Sequence, residues 1–238
     1  MHIDIWSDVA CPWCYLGVRH LRKALREFPH RDSVTVRIHA YLLDPELDAS
    51  IPEMSEAQYL AQTKKIPVDD VASILESLSD MGRSEGIKFA WNDTVVAPTS
   101  NAHRLICLAR EIDIENDAIS GPDTLQMRVH EGLQRARFEM GIDLAHPESL
   151  IALARDFSIP GERVLAALES QEYASEVFSD FQIGVQMGVT AVPVFVFDRT
   201  FQMSGAQTST AYSNALVTAW NHAHPDQPIS VMKDDDHE

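Results

Sequence analysis

The chain has 238 residues, 45% of them hydrophobic and 23% charged, which excludes a disordered chain and provides for a substantial core. Its 36 acidic and 19 basic residues give a formal net charge of −17, which disfavours nucleic acid or membrane as a partner because both would repel it. Three cysteines are too few for a disulfide scaffold. The N-terminal residues show no targeting signal, and no window reaches the roughly 18 apolar residues of a membrane span. We therefore expect a cytoplasmic protein.

The first elements in chain order are a strand, a helix and a second strand. Alternation over His2–Trp6 predicts the first strand, and Val34–Leu43 predicts the second. The helix between them is predicted from apolar residues at helical spacing that stop before Pro29, namely Val18, Leu21, Leu25 and Phe28. Cys11-Pro12-Trp13-Cys14 consequently lies at the turn from strand to helix.

The middle of the chain is predicted to be helical, with no strong strand signal. Ser55 and Gln58 form a capping box before a helix that carries Tyr59 and Leu60. The next helices are predicted from their inward residues or from their bounds: Val71, Ile74, Leu75, Leu78 and Met81, with Gly86 as C-cap; Ala102, Leu105, Ile106 and Ala109, ending near Asp113; Leu125, Val129, Leu133 and Ala136, starting at Pro122; Leu150–Phe157; Arg163–Leu168; and Glu172–Gln186, with Val177, Phe178, Phe181 and Val185 inward and Gly188 at its end.

The last third returns to sheet. Val194–Phe197 and Phe201–Met203 flank Asp198-Arg199-Thr200, which predicts a hairpin. A final helix follows over Thr208–Trp220, and the acidic residues 234–238 are predicted to be a solvated, disordered tail. One mixed sheet with a helical insertion fits this order better than two independent domains.

Cys11 and Cys14 form the motif that points most directly to chemistry. The thiolate is the reactive form of cysteine, and the unpaired N–H groups and dipole at a helix N-terminus favour it at Cys11. Pro12 suits the first helical turn because its missing N–H would be unpaired there anyway. Cys14, one turn on, is expected to be more buried and close enough to attack a mixed disulfide at Cys11. The pair thus predicts redox chemistry.

Both motifs also have an explanation without redox chemistry. The cysteine pair could be half of a zinc site, but a second Cys-x-x-Cys is missing and Cys107 is distant in sequence; we therefore predict no metal. Val192-Pro193 stands just before a strand, where proline is ordinary and most bonds are trans. From the residues alone, Pro193 carries no function.

Taken together, the cysteine pair after the first strand and Val192-Pro193 before the third resemble the thioredoxin fold. The helical block resembles the DsbA-like branch. The segments similar to the FrnE family of DsbA-like oxidoreductases are Asp8–Gly17, Ala102–Leu105, Gly188–Phe197 and Ser204–Gln207. The chain departs from that family in one segment. It has Thr99-Ser100-Asn101 where the family often has an Asn-Thr or Asn-Ser pair before Ala-His-Arg-Leu.

This resemblance implies an α/β fold with a thioredoxin-like mixed sheet and a large α-helical insertion. Residues 1–48 would form the N-terminal part, 49–170 the insertion, 171–225 the C-terminal part and 226–238 an acidic tail. The resemblance also implies that Pro193 is cis and lies beside the Cys11 sulfur. Val192 would then offer backbone groups to an extended substrate segment.

The function implied is thiol–disulfide oxidoreduction of protein or small-molecule substrates, in which Cys11 attacks and Cys14 resolves. No cofactor is needed beyond the dithiol, although glutathione could be a co-substrate. One alternative is a glutathione-dependent enzyme like 2-hydroxychromene-2-carboxylate isomerase or kappa-class glutathione transferase, but these relatives generally lack the second cysteine. Another is a non-catalytic binding module. An exposed edge strand or insertion face would allow a homodimer.

Four further residues were considered for a role: two of them have alternative predicted roles, and the other two have a predicted structural role. Asp8 could relay a proton to Cys14 or be a solvated loop side chain. Trp13 could be a half-exposed apolar lip for substrate or pack on the insertion. His103 is expected to be a hydrogen-bonded structural histidine, and Cys107 a buried, inert thiol.

Overall fold

The computed structural model describes residues 1–230, so residues 231–238 of the predicted acidic tail lie outside the described residues. A mixed four-stranded sheet forms its centre, in the order β2-β1-β3-β4. The strands are β1 His2–Ser7, β2 Thr35–Ala40, β3 Val194–Phe197 and β4 Phe201–Ser204. β1 runs parallel to β2 and antiparallel to β3, and β3 pairs antiparallel with β4.

Helices lie around this sheet and fill the chain between β2 and β3. They are α1 Pro12–Glu27, α2 Glu56–Lys64, α3 Val68–Ser84, α4 Ser100–Glu115, α5 Leu125–Met140, α6 Pro147–Ala154, α7 Gly161–Glu169, α8 Gln171–Gln186 and α9 Ser209–Ala223, with single 3-10 turns at Arg31–Ser33 and Arg155–Phe157. The predicted thioredoxin-like mixed sheet with a helical insertion is confirmed.

Strand alternation divides the core between the two faces of the sheet. Ile3 and Ile5 point to one face, where they pack with Phe195 and Phe197 in the largest apolar cluster. Trp6 points to the other face and joins a smaller cluster that contains the catalytic candidates Cys11 and Cys14, together with Val192. The cysteine pair therefore lies where the end of β1 meets the start of α1.

Gln126 of α5 closes the free edge of β2. Its side-chain oxygen accepts the Ile38 N–H at 3.0 Å, and its nitrogen donates to the Ile38 carbonyl at 3.0 Å. The side chain is buried. One glutamine thus pairs two backbone groups that a neighbouring strand would otherwise pair.

Several predicted boundaries were wrong by about three residues, among them the start of the fifth helix and the end of β2. The fifth helix begins at Leu125, not at Pro122, because the Thr124 side chain accepts the Met127 N–H at 3.3 Å and caps the helix. β2 ends at Ala40 and does not reach Leu43, since its partner β1 ends at Ser7.

The predictions of which residues are buried in α8 and α3 were also partly wrong. Phe178 and Val185, predicted inward, are 60% and 48% exposed. The buried face of α8 instead carries Val177, Asp180 and Gly184. The Trp6 ring packs so closely against Gly184 that an added Cβ would lie 2.7 Å from it. Asp180 is buried because it hydrogen-bonds to the buried His39. In α3, Ile74 and Met81 are exposed, whereas the buried face continues to Gly82, against which Phe89 packs.

Gln126→Leu is expected to lower the free energy of unfolding by about 2–4 kcal/mol, because it leaves a buried N–H and a buried carbonyl of Ile38 without partners. Urea denaturation measures the change. Gln186→Leu, at an exposed position, is the matched control and should stay within about 0.5 kcal/mol. Equal stability of the two variants would contradict the role of Gln126.

Candidate active site

Cys11 is the N-cap residue of α1, with φ −98° and ψ 113°, and Pro12 follows in the first turn. The Cys11 carbonyl accepts the N–H groups of Cys14 at 3.0 Å and Tyr15 at 3.3 Å. The thiols of Cys11 and Cys14 are free, with exposed fractions of 5% and 0%. The predicted place at the helix start and the deeper burial of Cys14 are both confirmed.

Val192 lies beside the Cys11 thiol, which donates to its carbonyl with a sulfur–oxygen distance of 3.4 Å. The Val192–Pro193 peptide bond is cis. Pro193 packs closely against α1, because a Cβ at Gly17 would lie 3.0 Å from Pro193 Cγ. The loop before β3 and the start of α1 therefore meet at Cys11.

The Asp8 carboxylate is buried in the turn between β1 and α1. It accepts hydrogen bonds from the N–H groups of Leu43 at 2.8 Å and Ala10 at 3.2 Å, and it pairs with His103 Nε2 at 3.3 Å. Burial opposes ionisation, but the bond and charge of His103 and the two N–H groups outweigh it and lower the pKa of Asp8. The solvated-loop reading of Asp8 was therefore wrong, whereas its proton relay stays a prediction.

His103 is the buried, hydrogen-bonded histidine that was predicted. The segment Thr99-Ser100-Asn101, which differs from the family pattern, helps to position His103. The Thr99 carbonyl accepts the His103 N–H at 3.0 Å at the start of α4, and the Asn101 side chain donates to the Ala145 carbonyl at 3.2 Å. The segment thus anchors the helix turn from which His103 reaches Asp8.

Sequence reasoning missed the side chains next to Cys14. Burial and the neighbouring Cys11 raise the pKa of Cys14, and a hydrogen bond with Ser7 partly offsets the rise. The Ser7 hydroxyl also bonds to His130 Nε2 at 2.8 Å. The signal that could have found His130 is its place among Val129 and Leu133 on the inward face of α5.

The remaining predicted residues lie at the edge of the site and away from it. Trp13 is 37% exposed, which confirms a half-exposed ring in the first turn of α1. Cys107 is buried in α4 as predicted, and burial raises its pKa; its inertness stays a prediction. Over residues 1–230, no cluster of three or more histidine, cysteine or acidic side chains is arranged to hold a metal ion.

A dithiol at the first turn of the helix that follows a central strand, facing a cis-proline loop, is the site of a thioredoxin-fold protein. The chain belongs to the DSBA-like thioredoxin domain family, whose model matches residues 2–217. The finer placement in the FrnE family stays a prediction. None of the helices within residues 1–230 is both long and apolar enough to cross a membrane.

Solved structures agree with this family. A probable DsbA oxidoreductase, SCO1869 from Streptomyces coelicolor, is 30% identical, with a TM-score of 0.80 over 98% of this chain and 94% of that one. A putative protein disulfide isomerase from Nitrosomonas europaea is 20% identical, with a TM-score of 0.69 over 94% and 98%. The cytosolic disulfide reductase DsbM from Pseudomonas aeruginosa, also solved with GSH, is 14% identical, with a TM-score of 0.63 over 93% and 100%. No curated protein matches the chain.

Asp8→Asn is expected to destabilise the protein by about 2 kcal/mol at pH 7, since charge-assisted hydrogen bonds are lost. Because the pKa of Asp8 is lower in the folded state, its ionised carboxylate stabilises the fold at pH values above the ordinary aspartate pKa of 3.8. This stabilisation is lost as the pH falls through the lower folded value, so the gap between native and variant should shrink there. Urea denaturation between pH 7 and pH 3 measures it. A constant gap, or an equal effect of the exposed Asp226→Asn, would contradict the charged role of Asp8.

Proposed function

We propose that the protein is a thiol–disulfide oxidoreductase in which Cys11 attacks and Cys14 resolves. The observation that carries the proposal is the placement of the two thiols. Cys11 caps α1 beside Val192, while Cys14 lies fully buried one turn deeper. Burial and the neighbouring Cys11 raise the pKa of Cys14, which keeps Cys14 a thiol until it is needed.

The chemistry proceeds by two exchanges of sulfur partners. The Cys11 thiolate attacks a substrate disulfide, forms a mixed disulfide and releases one substrate sulfur as a thiolate that takes up a proton. The Cys14 sulfur then attacks Cys11, forms the Cys11–Cys14 disulfide and releases the second substrate sulfur, which receives the proton that Cys14 loses. Two electrons pass from the dithiol to the substrate, and the reverse sequence oxidises a substrate dithiol.

The surroundings of Cys11 support a protein substrate. Val192 precedes β3 and carries backbone groups that an extended segment can pair with. Trp13, half exposed at the same turn, offers an apolar ring to the residues that flank a substrate cysteine. We infer that the substrate lies between the Trp13 ring and the Val192–Pro193 loop.

Glutathione is our proposed small-molecule partner when the enzyme acts as a reductase, because the oxidised dithiol must be reduced by another thiol. The solved complex of DsbM with GSH supports this choice. The isomerase or transferase alternative is less well supported, because one thiol would suffice for it and this chain keeps a buried second thiol at Cys14. The small number of cysteines, three in 238 residues, also suits a reducing cytoplasm. A homodimer stays a prediction.

Cys11→Ser is expected to abolish reduction of a protein disulfide such as that of insulin, because the attacking sulfur is gone. The readout is the glutathione- or dithiothreitol-dependent rate of insulin reduction. Cys107→Ser is the matched control, since Cys107 is also buried but lies in α4, and it should keep the native rate. A Cys11→Ser enzyme with the full rate would refute the proposed function.

Trp13→Ala is expected to raise KM for insulin about 5- to 10-fold, the equivalent of losing one aromatic contact, while KM for a small aromatic disulfide changes less. Steady-state kinetics with both substrates measure this difference. Phe178→Ala removes an aromatic ring that is 60% exposed on α8 and should change neither value. If Trp13→Ala leaves KM for insulin unchanged, the ring does not contact protein substrates.

A further inference from the structure

Tyr41 lies between the end of β2 and helix α8. Its side chain is 8% exposed and belongs to the apolar cluster that contains Cys11. The ring packs edge-on against Phe181, with ring centroids 5.4 Å apart, and a Cβ added at Gly184 would lie 3.3 Å from it. Packing against α8 therefore fixes the orientation of the ring.

The Tyr41 hydroxyl lies against the loop before β3. It donates to the Val189 carbonyl with an oxygen–oxygen distance of 3.0 Å, because a carbonyl oxygen can only accept. Burial raises the pKa of Tyr41 above its ordinary value of 10.0, so the hydroxyl keeps its proton at neutral and mildly alkaline pH. The hydrogen bond therefore persists over the pH range in which thiol–disulfide exchange is measured.

The loop over residues 189–192 is held at its two ends. Val189 and Val192 are buried, with exposed fractions of 6% and 8%, whereas the two residues between them are exposed. At the far end, the Val192 carbonyl accepts the thiol of the active site at 3.4 Å. At the near end, the Tyr41 hydroxyl holds the Val189 carbonyl. The position of the loop consequently depends on these two contacts.

The main chain around Tyr41 is fixed by the active-site turn. The Tyr41 N–H donates to the Ser7 carbonyl at 3.0 Å, and the Leu43 N–H donates to the Asp8 carboxylate at 2.8 Å. Tyr41 therefore connects the turn before α1 with the loop before β3, and these two segments meet at the reactive thiol.

We propose that Tyr41 is a positioning residue for polypeptide substrates: its hydroxyl holds the loop over residues 189–192 at the distance from Cys11 at which an extended substrate segment can pair with Val192. The inference rests on the proposed function and deepens it by naming the substrate class that needs Tyr41. Without the hydroxyl, the loop would leave this position for part of the time, and productive binding would fall by the same fraction. A small disulfide without a peptide backbone cannot pair with Val192, so its reaction does not depend on the loop.

Rapid-quench kinetics of the reduced protein with two disulfides test the proposal, with loss of the reduced protein followed by mass spectrometry. One is an extended peptide disulfide, and the other is 5,5′-dithiobis(2-nitrobenzoate), which has no peptide backbone. Tyr41→Phe keeps the ring and removes the hydroxyl. It should lower the second-order rate constant for the peptide about 3- to 10-fold, the effect of losing one neutral hydrogen bond. The rate constant for the small disulfide should remain within about twofold of the native value, as expected for an intact dithiol.

Amide hydrogen exchange measures the loop directly and without a substrate. The Val189 N–H donates to the Gly184 carbonyl at 3.0 Å, and it should exchange about 3- to 10-fold faster in Tyr41→Phe because the loop opens more often. Amides of β1 should keep their native exchange rates. Faster exchange throughout β1 would contradict the proposal, since it would show a loss of overall stability instead of a local release.

Tyr173→Phe is the matched control, because Tyr173 lies near the start of α8 and its hydroxyl donates to Glu111. It should leave both rate constants and the exchange of Val189 unchanged. An unchanged peptide rate constant in Tyr41→Phe, or an equal fall for both disulfides, would overturn the proposal. Native exchange at Val189 with a slower peptide reaction would also overturn it, since the hydroxyl would then contact the substrate and not the loop. If the native protein reacts with neither disulfide, the proposed function fails, whereas the exchange comparison still reports on the loop.

Discussion

The site depends on one buried charge, the carboxylate of Asp8. It fixes the turn between β1 and α1 by accepting the N–H groups of Ala10 and Leu43, and the Asp8 carbonyl accepts the Cys11 N–H at 3.1 Å. Gln134 adds long hydrogen bonds to the carbonyls of Asp8 and Cys11, each at 3.4 Å. Because a buried carboxylate is stable only when its oxygens are paired, these contacts hold the sulfur of Cys11 in one place.

The same turn places the two thiols in different surroundings. Cys11 lies at the N-terminus of α1, against the Val192 carbonyl, and keeps 5% of its surface exposed. Cys14 is one helical turn deeper, in a place where burial opposes its ionisation.

The active-site turn could be predicted because its signals lie close together in the sequence. Features that depend on contacts between residues far apart in the sequence could not be predicted. The strand, Pro12 and the apolar spacing after Cys14 lie within one stretch of sequence, so the cysteine pair could be placed at a helix start. The inward face of α8 could not be predicted, because Asp180 is buried by a bond to His39, which is 141 residues away in the chain. Likewise, 123 residues separate Ser7 from His130, and no spacing rule links them.

The central claim is that Cys11 attacks the substrate and Cys14 resolves the product. Trapping tests it most directly: Cys14→Ser is incubated with a peptide disulfide, and the adduct is located by mass spectrometry after proteolysis. The account predicts a stable mixed disulfide on Cys11, with Cys107 unmodified and no such adduct in the native protein once resolution is complete. A mixed disulfide on Cys107, or none on Cys11, would contradict it.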